Sequence, residues 1–272
     1  MPSDFKALEV SEEEGNFLLN IVEKSVNDLP EGDLLVKVNY SSLNYKDAMS
    51  VTGMPGVTRK YPHTPGIDAA GKIAESKVPD FKEGDEVIVT GYDLGMNTPG
   101  GFGEYIRVPS NWAVHLPKGL TTKQSMSLGT AGLTAGLSIH ALDSFREYTG
   151  LKNTKSVVSG ATGGVGSISV MLLSKLGSEV TAVTGKKDKK DLQLFITKHK
   201  LNSDEEWNSN IPLDTFKLSN SSLIFILTNS SHNEAVIFLI PSDSEPRTKT
   251  VFFGKSISLI SFLAFPSKPY TQ

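Results

Sequence analysis

The chain has 272 residues and a formal net charge of −3, and its length is typical of one or two domains. Hydrophobic residues make up 38% and charged residues 21%, which is typical of a soluble globular protein, and this charge balance gives no basic footprint for nucleic acid. The absence of cysteine excludes disulfides, thiol catalysis and thiolate zinc sites. No signal core or membrane-length apolar run is evident, so we expect a cytoplasmic protein without a membrane partner.

The first part of the chain, residues 1 to about 120, is predicted to be β-rich. Strands are predicted at Leu34 to Val38, Gly71 to Ala74 and Glu86 to Thr90. Glycine and proline turns separate them at intervals typical of a compact β-barrel-like domain. The pattern changes after residue 120, where Thr121 or Thr122 can cap a helix that continues through Ala131 to Leu142. We therefore predict a β domain over 1–120 and an α/β domain over 121–272.

A glycine-rich turn lies in the segment from Lys155 to Gly185. It follows the strand Ser156 to Val158 and precedes an apolar helix, Ile168 to Leu176, and a second strand, Val180 to Val183. Strand, glycine turn, helix and strand form half of a dinucleotide-binding unit, in which the helix N-terminus faces a pyrophosphate. The alternative is a strand-to-helix turn without a ligand. The predicted binding residues are Gly160, Thr162, Gly163, Gly164, Val165 and Gly166.

The residues after the second strand favour NADPH over NADH. An acidic residue at this position binds the ribose of NAD, whereas cations and hydroxyls suit the 2′-phosphate of NADP. The sequence here is Thr184-Gly185-Lys186-Lys187, with no carboxylate in the first positions. The alternative is a solvated charge run at the start of a helix.

The last third of the chain has a different composition. Gly254 is the only glycine after Gly185, and tight strand-to-helix turns form most easily with glycine. Buried strands are predicted at Ile224 to Leu227, Ala235 to Ile240 and Ser256 to Leu263. We therefore expect the C-terminal part of the nucleotide-binding domain to be truncated or divergent.

Six motifs in one order resemble a known family. They are SSLNYKDAM at 41–49, PGIDAAG at 65–71, EGDEV at 83–87, GGFGEY at 100–105, GTAGLTA at 129–135 and SGATGGVG at 159–166. Together they resemble the zinc-independent quinone oxidoreductase and acrylyl-CoA reductase branch of the medium-chain dehydrogenase/reductase superfamily. The resemblance covers about residues 1 to 190 and becomes faint beyond them.

The resemblance implies a GroES-like β-barrel-type catalytic domain followed by a Rossmann nucleotide-binding domain, with the active site in the cleft between them. It implies hydride transfer from NADPH to a quinone or to an activated double bond, as in an enone or an enoyl-CoA such as acryloyl-CoA. No metal is needed. The small-molecule substrate would be the main partner, and the family is usually a homodimer.

The resemblance also assigns roles to single residues. Asn44 and Tyr45 fall in the cofactor-and-substrate loop, where Asn44 can bind the nicotinamide ribose or amide and Tyr45 can orient substrate or donate a proton. The alternatives are a loop-capping asparagine and a core tyrosine. Asp68 falls near the cleft and is expected to hold Lys46 or Tyr45 in place. A buried structural carboxylate is its alternative.

Three further residues carry open alternatives. Thr130 resembles a nicotinamide contact, or else caps a helix. Lys46 and Asp47 can instead form a surface ion pair.

Two other readings of the chain compete with this one. A short-chain dehydrogenase would use Tyr148 and Lys152, which have the right spacing but precede the glycine turn instead of following it. The second alternative is a catalytically impaired nucleotide-binding or scaffold protein with a divergent C-terminus, whose tail composition also fits an altered reading frame.

Overall fold

The computed structural model describes residues 4–145, 150–183, 223–229, 234–240 and 249–252. The chain divides into two compact units, Met1–Thr130 and Ala131–Gln272. The boundary that the sequence predicts near residue 120 stays a prediction. The elements of the first unit are β1 Asp4–Glu13, β2 Asn16–Ser25, β3 Leu34–Tyr40, α1 Tyr45–Val51, β4 Asp68–Ser76, β5 Glu86–Thr90, β6 Tyr105–Val108, β7 Ala113–His115 and the first part of α2 Thr122–Phe145.

A five-stranded antiparallel sheet in the order β6-β3-β4-β5-β7 forms the frame of the first unit. Successive side chains of a strand point to opposite faces of the sheet, and one of the two faces is packed inwards. The inward set forms a core of fully buried residues from four strands. These are Leu34, Val36, Ala69, Ile73, Val87, Val89, Ile106 and Val108.

A separate hairpin precedes this sheet and was not predicted. Strands β1 and β2 pair antiparallel over their whole length, from Asp4 opposite Ser25 to Glu13 opposite Asn16. The turn between them has Glu14 and Gly15 at positive φ. Adjacent apolar residues occupy both faces of β2, at Leu18 and Leu19 and at Ile21 and Val22, so this strand shows no period-two pattern.

Helix α2 contains a break at Gly129. This residue has φ 50° and ψ −151°, a conformation that is strained for any residue with a Cβ. Helical geometry resumes at Thr130. The break allows the chain to change direction just before residue 130, at a point where the sequence predicted a continuous helix with Thr121 or Thr122 as its cap.

The second unit begins with the predicted strand, turn, helix and strand. Its elements are β8 Lys155–Ser159, α3 Gly164–Lys175 and β9 Glu179–Val183. Strands β8 and β9 are parallel, with Ser156 opposite Val180. The helix begins four residues before the predicted Ile168, because its first turn is built from the glycine-rich motif itself. Its apolar face joins a buried core of Leu142, Leu151, Val158, Val170 and Leu173.

Three further strands extend the second sheet: β10 Leu223–Asn229, β11 Glu234–Ile240 and β12 Lys249–Phe252. The first two confirm the predicted strands, while their predicted burial stays a prediction. Strand β12 was not predicted, and Ser256 to Leu263 lies outside the described residues. The order is β12-β11-β10-β8-β9. Strand β10 is parallel to β8, whereas the β10–β11 and β11–β12 pairs are antiparallel. A doubly wound sheet would continue with parallel strands, so this part of the sheet diverges from that pattern.

None of the helices in the described ranges combines the length and apolar character that a membrane crossing needs.

Candidate active site

A fully buried carboxylate, Asp68, organises the candidate site in the first unit. It opens strand β4, and its side chain is 0% exposed. Its Oδ2 accepts hydrogen bonds from the Ser42 hydroxyl, from Asn44 Nδ2 at 2.9 Å and from the Thr130 backbone N–H at 2.9 Å. Its Oδ1 accepts from the Thr130 hydroxyl at 2.8 Å. We call Asp68, Ser42, Asn44 and Thr130 the Asp68 cluster.

Glycines let the backbone close around this cluster. A Cβ on Gly129 would lie 2.7 Å from Asp68 Oδ2 and 3.0 Å from Ser42 Oγ. A Cβ on Gly101 would meet the Asp68 carbonyl oxygen, which accepts a hydrogen bond from the Ser41 hydroxyl at 2.6 Å. Both positions therefore require glycine for close approach.

A second buried carboxylate, Asp47, fixes the loop that carries Asn44. It lies in the first turn of α1 and is 3% exposed. Its Oδ2 accepts from the backbone N–H of Asn44 at 2.8 Å, and its Oδ1 accepts from that of Ile67 at 2.9 Å. Burial raises the pKa of Asp47, and the nearby charge of Asp68 acts in the same direction, while these two hydrogen bonds oppose the shift. The arrangement links the Asn44 loop to the residue before Asp68.

Tyr45 follows Asn44 at the exposed side of this loop. It is 46% exposed, and its hydroxyl has no hydrogen bond among the described residues. Its neighbour Leu43 is 88% exposed. A phenol in this setting can donate to a bound oxygen, and the leucine adds an apolar surface beside it.

The glycine turn of the second unit has the geometry of an anion-binding helix start. Gly160 has φ 59°, and its carbonyl accepts from Gly163 N–H at 2.9 Å. A Cβ on Gly166 would collide with the Gly160 carbonyl oxygen. Helix α3 starts at Gly164 with no acidic residue in its first turn. Its first N–H groups lack intrahelical partners, so the turn fits a pyrophosphate.

The structure places most of the sequence-predicted residues in these two sites. Asn44, Asp68 and Thr130 meet in the Asp68 cluster, with Tyr45 next to it. The predicted turn residues form the turn and the start of α3: Gly160, Thr162, Gly163, Gly164, Val165 and Gly166. The predicted 2′-phosphate residues lie outside the described residues: Thr184, Gly185, Lys186 and Lys187.

Two expectations about Asp68 and Asp47 are corrected. Asp68 was expected to hold Lys46 or Tyr45, but its oxygens bind Ser42, Asn44 and Thr130 instead. The surface pair of Lys46 and Asp47 is wrong, because Asp47 is buried and both of its oxygens accept backbone N–H groups.

Sequence reasoning missed Ser41, Ser42 and Gly129 as members of the site. Their signal was present, since the two serines and the glycine belong to the motifs at 41–49 and 129–135. In the part of the chain that the structure describes, no group of three or more histidine or acidic residues could hold a metal ion.

Comparison with known proteins agrees with this geometry. The family described as "Alcohol dehydrogenase GroES-like domain" matches residues 30–118. "Putative quinone oxidoreductase YhfP" of Bacillus subtilis (strain 168) is 44% identical over 193 residues, which are 70% of this chain and 57% of that protein. A crystal structure of YhfP with NAD bound has a TM-score of 0.65 at 42% identity, covering 71% of this chain and 59% of that one.

Two further proteins extend the comparison. "Acrylyl-CoA reductase AcuI" of Ruegeria pomeroyi is 42% identical over 189 residues, which are 69% of this chain and 57% of that protein. The yhdH oxidoreductase of Salmonella enterica, crystallised in complex with NADP, has a TM-score of 0.69 at 34% identity and covers 83% of this chain and 68% of that one. This chain belongs to the quinone oxidoreductase and acrylyl-CoA reductase branch of the medium-chain dehydrogenase/reductase superfamily. The predicted fold class is thereby confirmed. The chain spans little more than half the length of the curated relatives it matches.

Proposed function

We propose that this chain is an NADPH-dependent oxidoreductase that transfers a hydride to a quinone or to an activated double bond. The observation that carries the proposal is the turn at 160–166, where the backbone approach of Gly166 to Gly160 leaves the start of α3 open to an anion. Relatives with this fold were crystallised with NADP and with NAD. A dinucleotide diphosphate is the anion that best fits a glycine turn between β8 and α3.

The preference for NADPH rests on Lys186 and Lys187. Two cations that follow β9 after Thr184 and Gly185 in the sequence can pair with a 2′-phosphate, and no carboxylate competes for the ribose in the first positions. Since the YhfP structure holds NAD, the preference needs its own measurement.

For the first unit, we propose that the Asp68 cluster contacts the nicotinamide end of the cofactor. Bound NADPH would supply the hydride, which is added to the β-carbon of an enone or enoyl thioester, or to a quinone ring. Negative charge then develops on the carbonyl oxygen of the acceptor. Tyr45 is suited to donate a hydrogen bond or a proton to that oxygen, because the residue is 46% exposed and its hydroxyl has no hydrogen-bond partner among the described residues.

The acceptor class follows from the relatives' names and stays a proposal. These names are "Putative quinone oxidoreductase YhfP" and "Acrylyl-CoA reductase AcuI". Both reactions add hydride to a carbon conjugated with a carbonyl group. The same placement of the hydride donor NADPH and of Tyr45 would therefore suit both. A homodimer is proposed from the same resemblance.

The test begins with nicotinamide fluorescence during titration with NADPH. Oxidation of NADPH is then followed with benzoquinone, an enal and acryloyl-CoA. Turnover with at least one acceptor supports the proposal, and absence of NADPH binding contradicts it.

The antiparallel strands β10 to β12 favour a second candidate, a nucleotide-binding protein without turnover. Saturable binding of NADPH with no oxidation by any of the three acceptors would support that candidate instead.

A further inference from the structure

Asp68 is a buried carboxylate that is stabilised by hydrogen bonds and not by a paired cation among the described residues. The ion pairs within the described residues join Lys24 to Glu9, Lys72 to Glu86 and Arg107 to Glu75, and Asp68 takes part in none of them. Four donors compensate it instead: the Ser42 hydroxyl, Asn44 Nδ2, and the N–H and hydroxyl of Thr130. Hydrogen bonds stabilise a buried carboxylate but leave its net charge in place.

The same bonds fix the orientation of the Asn44 carboxamide. Its Nδ2 lies 2.9 Å from Asp68 Oδ2 and 2.9 Å from Ser42 Oγ. The flipped amide would place its oxygen against a carboxylate oxygen, where two acceptors repel each other. The amide nitrogen therefore faces Asp68, and Oδ1, on the other branch of the amide, faces the start of α1, where Asn44 is the N-cap and forms a capping box with Asp47. An amide oxygen has two lone pairs, so one of them is left for a ligand.

Asp68 also fixes which groups Thr130 can offer to a ligand. Its backbone N–H and its hydroxyl proton are both directed to Asp68, so the oxygen of the side chain can act towards a ligand only as an acceptor. Asn44 and Thr130 are both only partly buried, which leaves them within reach of a ligand. The partly exposed surface of the cluster thus offers acceptor atoms over a buried negative charge.

We propose that Asp68 is a positioning residue that turns Asn44 Oδ1 towards the carboxamide N–H group of a bound nicotinamide. Its negative charge also makes the Asp68 cluster bind the oxidised, positively charged ring more tightly than the reduced, neutral ring. The inference rests on the proposed function, because it needs a nicotinamide at the Asp68 cluster. Because Asn44 presents an oxygen, it cannot donate a hydrogen bond to the carbonyl oxygen of the acceptor, and another residue must supply that donor. It also implies that the positive charge appearing on the ring as hydride leaves is stabilised by Asp68.

The test measures dissociation constants for NADP⁺ and NADPH separately, by calorimetry and by nicotinamide fluorescence, in wild type, Asp68→Asn and Ser42→Ala. The first variant removes the charge, and the second removes one donor while keeping the charge. Asp68→Asn is expected to weaken NADP⁺ binding about tenfold more than NADPH binding, the size of effect of one partly screened charge. Ser42→Ala is expected to leave the ratio of the two constants at its wild-type value.

A ratio in Asp68→Asn equal to that of wild type overturns the inference, and so does an equal shift of the ratio in Ser42→Ala. Wild-type protein that binds neither nucleotide contradicts the proposed function itself, which separates the two failures.

A measurement on wild-type protein keeps the inference testable if Asp68→Asn does not fold. The 3-acetylpyridine analogue of NADP⁺ keeps the ring charge but lacks the carboxamide N–H donors. Loss of one such hydrogen bond to Asn44 Oδ1 is expected to weaken binding about tenfold. Equal affinity for NADP⁺ and the analogue overturns the assigned orientation of Asn44.

Discussion

Thr130 donates two hydrogen bonds to Asp68, a residue 62 positions earlier in the chain, one from its backbone N–H at 2.9 Å and one from its hydroxyl at 2.8 Å. The backbone bond is possible because Gly129 breaks helix α2 immediately before Thr130. Two hydrogen bonds thus join the last residue of the first unit to the first residue of β4. The backbone conformation of Gly129 and the hydrogen bonding of Asp68 therefore depend on each other.

Replacing Gly129 with alanine is expected to destabilise the protein by about 2–3 kcal/mol, since positive φ and close contact both penalise a Cβ. The new carbon would lie 2.7 Å from Asp68 Oδ2. The measurement is the midpoint of chemical denaturation. Gly136→Ala is the matched control in the same helix, because nothing lies within 4 Å of its added Cβ; it should be neutral or slightly stabilising. Equal effects of the two variants would contradict the role given to Gly129.

Thr130→Val removes the hydroxyl that binds Asp68 Oδ1 and keeps the shape of the side chain. Leaving a buried carboxylate oxygen without this donor is expected to cost about 1–3 kcal/mol of unfolding free energy. Thr130→Ser retains the hydroxyl and serves as the control. Denaturant titration of the three proteins should rank wild type and the serine variant above the valine variant, and a valine variant as stable as wild type would speak against the bond.

Gly166→Ala is expected to weaken NADPH binding about tenfold or more, because a displaced turn loses N–H groups aimed at the diphosphate. The added Cβ would collide with the Gly160 carbonyl oxygen. Fluorescence titration of NADPH gives the dissociation constant. Ser167→Ala, one position further along α3 and only partly buried, should bind NADPH as wild type does. If Gly166→Ala also binds normally, the diphosphate is held elsewhere.

Lys186→Glu is expected to reduce affinity for NADPH about tenfold while leaving NADH nearly unchanged, because only NADPH carries the 2′-phosphate. Lys187→Glu should behave in the same way. Lys175→Glu makes the same charge change in the exposed last turn of α3 and controls for a general electrostatic effect. Parallel loss of NADPH and NADH affinity would show that Lys186 does not select the phosphate.

We expect the free energy of unfolding to decrease in acid because of His63. Burial lowers the pKa of His63, the hydrogen bond with the Gly95 backbone acts in the opposite direction, and Nε2 has no hydrogen-bond partner within the described part of the chain. The unfolded chain therefore binds a proton more readily than the folded one. The stabilising contribution is complete above the ordinary value of 6.5 and decreases as pH falls below it, by at most about 1.4 kcal/mol per pH unit.

The variant His63→Gln should flatten this part of the stability profile, measured by urea unfolding across the acid range. The control is His115→Gln, which changes an exposed histidine and should keep the wild-type slope. A His63→Gln profile that runs parallel to that of wild type would place the acid sensitivity at other groups.

Local sequence signals predicted the parts of the fold that depend on local chemistry. The β8–α3–β9 unit was found because glycine, apolar and β-branched residues each mark a different element there. Strand β5 was predicted with its observed bounds. Strand β1 was missed although it buries Phe5, Ala7 and Val10. Strand β2 was missed because its apolar residues lie on both faces and give no period-two pattern.

The candidate site was predicted in its members but not in its connections. Asn44, Asp68 and Thr130 were selected from three separate motifs, and the structure brings them together. Their contacts with Asp68 could not be predicted from spacing, because the hydrogen bonds to its carboxylate join residues 24 to 62 positions apart. Lys46 and Asp47 were misjudged for a related reason: a lysine next to an aspartate suggests an exposed pair, and only the fold shows that Asp47 is inside.

The tie between Asp68 and Thr130 sets a minimum length for any shortened version of the first unit. A fragment ending at residue 120 would keep every strand of the main sheet, but Asp68 would lose the two hydrogen bonds that Thr130 donates. A fragment that reaches beyond residue 130 retains them. Trimming experiments should therefore find the C-terminal limit of this unit inside a helix and not in the loop that precedes it.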